Sequence, residues 1–230
     1  MFTNDIVVKI LVGIVFGLFL GLVTIFLSKK LTLNRTEDPV KAAPIDTPLF
    51  KVMSFVVGVG VSVAVVFTAG DTAMVIRNLA LLVPIASISV VDSLVRKIPN
   101  SLLLSMIVIQ AIYLAYYSVS NHTTQLLIAA GFGFFIGFAA CTLPGVLKIP
   151  VGAGDIKYSG VIGLCIFFAG YLQAMVLMGL IAVGCLIVLK ATKKGGLKTM
   201  IPMGPLISAG TVITMCYPIL ESFIGKNFAF

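Results

Sequence analysis

The sequence predicts an all-α polytopic membrane protein with about eight transmembrane helices. Three observations lead there. Of the 230 residues, 60% are hydrophobic and only 10% are charged, whereas soluble domains carry about 25% charged residues. The mean hydropathy is +1.17. The apolar residues also fall into runs long enough to span a bilayer, parted by short polar stretches that hold most of the lysines and arginines. Length alone allows one or two domains, and the succession of spans predicts a single membrane-embedded domain over 1–230.

The formal net charge of +8 is spread over short loops and forms no basic face interleaved with aromatics. Nucleic acid is therefore excluded as a partner, and membrane lipid is the expected neighbour. Cys141, Cys165, Cys185 and Cys216 all lie in apolar runs, and none forms a Cys-x-x-Cys pair. They read as small buried hydrophobes, not as disulfide partners or metal ligands. His122 is the only histidine and sits in a polar loop. No metal site is expected.

The first span, about Ile6 to Leu27, lacks the basic start and small-residue cleavage site of a removable signal, so it is expected to remain as a span. Gly13, Gly17 and Gly21 share one of its faces and invite close helix packing. Residues 28–48 form the one sizeable polar segment; its prolines and mixed charge predict an irregular cytoplasmic loop. The second span, about Leu49 to Ala69, ends in the outer turn Gly70-Asp71-Thr72. The third, about Ala73 to Val91, returns Asp92 to the cytoplasmic edge. Arg77, near its outer end, is expected to snorkel to the headgroups and pair with Asp71.

A basic turn follows, in which Pro99 and Asn100 stop one helix and start the next. The fourth span covers about Leu102 to Tyr117. The fifth, about Gln125 to Leu143, carries Gly133 and Gly137 as a second packing face. Pro144 to Gly154 leads to the sixth span, about Ile156 to Phe168, and the seventh runs from about Leu172 to Leu189. A rigid lead-in, Ile201-Pro-Met-Gly-Pro205, opens an eighth that ends near Glu221. With both termini outside, all basic residues except Lys9, Arg77 and Lys226 face the cytoplasm.

Asp92 and Asp155 then lie at one membrane depth on the cytoplasmic side. An ionised carboxylate in a span costs roughly 2.5–3.5 kcal/mol at a helix centre, so function is the usual reason to keep one. In the stretch Val151 to Ser159, Gly152 and Gly154 permit positive φ and close backbone approach, which would present Asp155 on an irregular, re-entrant segment. Two carboxylates in one low-dielectric site cannot easily both ionise, so they share a proton. That arrangement lets one draw a proton from water while the other serves the scissile carbonyl, as in an aspartic protease. Single acids at helix ends are also ordinary, and Asp155 could cap the sixth span. A proton- or cation-coupled transporter would likewise need titrating acids, although transporters favour midplane sites and internal repeats.

The run from Asp92 to Pro99-Asn100, followed by Gly152-x-Gly154-Asp155-x-Lys157, resembles the type IV prepilin peptidase family, membrane aspartic proteases of the Gly-x-Gly-Asp type. The resemblance extends to the glycine-bearing first span, the long first loop and the Pro202 to Pro205 lead-in. It implies cleavage of the basic leader of prepilins or pseudopilins on the cytoplasmic side of the cell membrane, just before the substrate's apolar helix. It implies Asp92 and Asp155 as the catalytic pair, Gly152 and Gly154 as shaping the segment that presents Asp155, and Lys157 as tuning or orienting that acid. Many members carry two Cys-x-x-Cys pairs in the first loop, which resemble a zinc site, and methylate the new N-terminus. Residues 28–48 here hold no cysteine, so no zinc is expected and the methyl transfer is left open. S-adenosylmethionine is expected only where that activity is retained; Glu37 and Asp38 are the acids early in the loop that could assist an amine. Presenilin-like and signal-peptide-peptidase-like proteases are a further alternative. They place the first acid in a tyrosine-containing span, unlike Ser89-Val-Val-Asp92. The oligomeric state is not fixed by the sequence.

Overall fold

The computed structural model describes residues 6–36, 38–146, 151–192, 202–220 and 222, and every regular element among them is helical. Helix α1 covers Ile6–Leu33; a 3₁₀ turn at Pro39–Ala42 and the short α2 (Ala43–Asp46) follow. Then come α3 (Pro48–Thr68), α4 (Thr72–Val95), α5 (Asn100–Asn121), α6 (Gln125–Val146), α7 (Ala153–Ala191) and α8 (Met203–Cys216). Six of these are long and apolar enough to cross a membrane.

Helix α7 has 39 residues, about 58 Å if straight, whereas a bilayer core is about 30 Å thick. It is not straight. Phe167 interrupts it with φ 59° and ψ −178°. The hydroxyls of Ser159 and Tyr171 lie 2.7 Å apart, although a straight helix would separate those residues by about 18 Å. The chain therefore doubles back at Phe167, and the two arms are the expected sixth and seventh spans. The turn comes just ahead of the gap read between Phe168 and Leu172. With α1, α3, α4, α5, α6 and α8, the bundle has eight apolar segments. The last is shorter than expected: α8 has 14 residues and ends at Cys216, and Glu221 lies outside the described residues.

A helix that breaks inside a membrane leaves carbonyls without partners, and lipid cannot satisfy them. Two side chains do so here. The Gln110 amide of α5 donates to the Leu164 carbonyl at 3.1 Å, and an Arg77 Nη of α4 donates to that of Cys165 at 3.2 Å. Arg77 thus departs from expectation. It is 5% exposed, donates twice to Asn78 Oδ1, and lies over the rings of Tyr113 and Phe167 at 4.6 and 5.6 Å. Asp71 caps α4 instead, accepting from the Met74 N–H. A guanidinium can be kept this far from solvent because the aromatic faces and carbonyls at the turn replace its water.

The small-residue faces bring backbones together. A methyl group added at Gly17 would strike the backbone of Val59, and one at Gly13 would meet Val63, so α1 lies directly on α3. Gly133 and Gly163 face each other with each Cβ position filled by the other's carbonyl, while Gly137 abuts Ser159. These contacts seat α6 on the first arm of α7. Large apolar side chains such as Phe26, Phe135, Val176 and Ile112 point outward, while Asn78, Gln110 and Asp92 point inward. That polarity suits a lipid exterior.

The first loop is more ordered than its composition suggested. Helix α1 runs on past Leu27 to Leu33, and Ile45 of α2 is fully buried. Lys29 pairs with Asp46 at 2.8 Å, which holds the Asp46 carboxyl below the usual carboxylate range. Asp38 caps the 3₁₀ turn by accepting from the Val40 N–H; Glu37 lies outside the described residues.

Candidate active site

Asp92 sits one turn before the end of α4, not beyond it. Its own carbonyl accepts the Arg96 N–H, where Arg96 adopts the left-handed conformation and ends the helix. The side chain is 5% exposed. Its Oδ2 accepts the backbone N–H of Gly204 at 2.9 Å. Gly204 is the second residue of α8, after the helix-starting Pro202 and Met203, so Asp92 faces the positive end of a helix. A Cβ at Gly204 would lie 2.6 Å from Oδ2 and 2.9 Å from the Cβ and Cγ of Asp92. Only glycine fits there.

Asp155 lies in the first turn of α7, whose N-cap is Gly152. The sequence suggested an irregular, positive-φ segment; the structure has a regular helix start, and Gly152 has φ −66°. The glycines here leave room and use no positive φ. A Cβ at Gly152 would lie 2.7 Å from Asp155 Oδ2, because the carboxylate folds back over its own helix start. At Gly154 a Cβ would meet Ile98 at 3.3 Å, so the start of α7 rests on the turn that follows Asp92. That contact places Asp155 on the same side of the bundle as the turn that follows Asp92. Lys157 is exposed. Two residues beyond Asp155 on a helix, it faces another way.

A buried polar cluster ties the supporting helices one turn deeper. The Tyr158 hydroxyl of α7 and Ser208 hydroxyl of α8 are 2.8 Å apart, and Ser208 reaches the Ile85 carbonyl of α4 at 3.4 Å. Tyr158 is fully buried. On the other side of that arm, Ser159 donates to the Gly137 carbonyl of α6 and meets the Tyr171 hydroxyl. Sequence reasoning passed over Gly204, Tyr158 and Ser208. Pro202 to Pro205 marked a helix start, but nothing local says which way the Gly204 N–H points.

Among the described residues, no three His, Cys, Asp or Glu side chains gather where they could hold a metal ion. All four cysteines are free, and they sit on α6, on both arms of α7 and on α8. The described donors thus do not fit a Cys-x-x-Cys zinc site.

Fold and site together define an all-α, multi-pass membrane protein with two carboxylates drawn to neighbouring helix starts. A sequence model of the type IV leader peptidase family matches residues 79–189, a stretch that contains both acids and most of α7. Over that stretch, just under half of its length, the chain is similar to the type IV leader peptidase family. No curated protein and no solved structure matches the chain.

Proposed function

We propose that the chain is a membrane aspartic endopeptidase that removes the basic leader of type IV prepilins or pseudopilins at the cytoplasmic face of the cell membrane. The observation that supports this reading is the packing of the start of α7, which carries Asp155, on the turn that follows Asp92, in a stretch that matches the leader peptidase family. One carboxylate, ionised, takes a proton from a water as its oxygen attacks the scissile carbonyl. The other, protonated, gives its proton to that carbonyl oxygen. Collapse of the resulting gem-diol breaks the C–N bond: the amine leaves with the proton held by the acid pair, one diol hydroxyl gives its proton back to the pair, and the shared-proton state is restored.

Gly152 and Gly154 serve by leaving room, the first for the Asp155 carboxylate and the second for Ile98. Lys157, exposed beside the helix start, belongs to the active-site rim. The basic turns next to both acids support a cytoplasmic site by the positive-inside rule. Methyl transfer, with S-adenosylmethionine as donor, stays a separate question that one experiment answers alongside the first.

That experiment is co-expression with a panel of prepilins, reading leader removal by gel shift and mass spectrometry. Cleavage after the leader glycine that vanishes in Asp155→Asn is the expected result, and the mass of the new N-terminus reports any methyl group. A folded protein that cleaves no candidate overturns the reading and favours a transporter.

A further inference from the structure

We propose that Gly204 is a positioning residue for Asp92: the N–H it presents from the first turn of α8 holds one carboxylate oxygen, fixing Asp92 as the water-activating base and leaving Asp155 the shared proton. The inference rests on the peptidase reading above and assigns the two roles that reading leaves interchangeable.

Three observations separate the acids. Asp92 accepts a hydrogen bond from a buried backbone N–H at 2.9 Å; such bonds favour the ionised, acceptor-only form of a carboxylate. Among the described residues no donor reaches Asp155 in the same way, although it lies in the first turn of its own helix. The neighbouring cations are placed differently as well: Arg96 closes the helical turn that holds Asp92, its N–H bonded to the Asp92 carbonyl, whereas Lys157 is exposed on another side of α7 from Asp155. When the pair holds one proton, these surroundings place it on Asp155. The lead-in to α8 suits that role, because Pro202 and Pro205 have no N–H and their fixed φ stiffens the turn that aims the N–H of Gly204. The absent side chain is equally necessary, since a methyl group at 204 would occupy the place of the Asp92 carboxylate.

The test uses the full-length chain purified in detergent and a synthetic peptide spanning the leader and first apolar residues of a prepilin. Gly204→Ala should lower kcat roughly 30-fold or more, with KM within about twofold, because the loss is confined to the acid geometry. An unchanged kcat, or an effect on KM alone, overturns the proposal. Thermal unfolding supplies a second arm that needs no activity. Gly204→Ala should lower Tm by roughly 4 °C or more in the native background and by less than about 1 °C beside Asp92→Gly, which removes the opposing atoms. Equal losses in both backgrounds, or a double variant that fails to fold, overturn it. A single variant that fails to fold while the double folds supports it. Should the native chain cleave no peptide, the peptidase reading falls, and the unfolding arm still decides whether Gly204 acts through Asp92.

Discussion

Asp92 and Asp155 are one atom away from losing their chemistry, since an amide keeps the carboxylate's shape but neither takes up a proton from water nor donates one as an acid. Asp92→Asn and Asp155→Asn should each lower cleavage by roughly 10²- to 10⁴-fold with insertion and unfolding unchanged; substantial residual cleavage in a folded variant would defeat the paired-acid mechanism. Tyr158 is a different case. Tyr158→Phe deletes one hydroxyl from the Ser208 and Ile85 cluster, and it should cost about 1 kcal/mol of stability, checked by denaturant unfolding in detergent. Both acids were legible in the sequence because charge is scarce in this chain and Asp155 sits in a Gly-x-Gly-Asp string. Gly204 was not, because its role depends on a partner 112 residues away. Arg77 was misread for a related reason. A cation near a span end ordinarily reaches for water, and only the fold places two rings and a broken helix beside it.

The hairpin made by the two arms of α7 concentrates the tension between local preference and packing. Phe167 holds φ 59° and ψ −178°, a region that costs a side-chain-bearing residue about 1–3 kcal/mol. Its ring repays part of that by lying under Arg77. Phe167→Ala keeps the strain and loses the ring, whereas Phe167→Gly loses the ring and relieves the strain. The glycine variant should therefore unfold later than the alanine variant, by about 1 kcal/mol, in parallel denaturant titrations; the reverse order would remove the strain argument. The existence of two spans here was legible from length, because one apolar run cannot be stretched across twice the bilayer. The position of the turn was legible only to within a few residues, since Phe167 itself carries no turn signal. The glycine faces of α1 and α6 were legible for a simpler reason. Four-residue spacing puts small residues on one side of a helix, and the only profitable use of such a side is contact.

Across the whole molecule, the polarity is that of a protein dissolved in lipid, with apolar side chains outside and the costly polar groups inside. The cysteines play no part in the proposed chemistry, so replacing all four by alanine should leave proteolysis within about twofold of the native rate, and a zinc chelator should have no effect. That variant makes the membrane orientation measurable. Single cysteines at Lys97, beside the acids, and at Asn121, at the far end of α5, should react with a membrane-impermeant thiol reagent from opposite sides. Asn121→Cys should be labelled in intact cells and Lys97→Cys only after lysis; the opposite result would turn the active site outward. Composition alone was enough for this level of description, because sixty per cent hydrophobic residues admit few architectures. The depth of the loop after α1 was less accessible. Its prolines and charges concealed the fully buried Ile45, and burial of one side chain leaves little trace in a short polar segment.

The satisfied carbonyls at Phe167 also order events in time. Arg77 and Gln110 emerge from the ribosome 88 and 54 residues ahead of the carbonyls they serve, so α4 and α5 are made before the two arms. The late-made hairpin arrives at a receptor that its own chain has built in advance, and a C-terminal fragment synthesised without α4 and α5 would enter the bilayer with that turn bare.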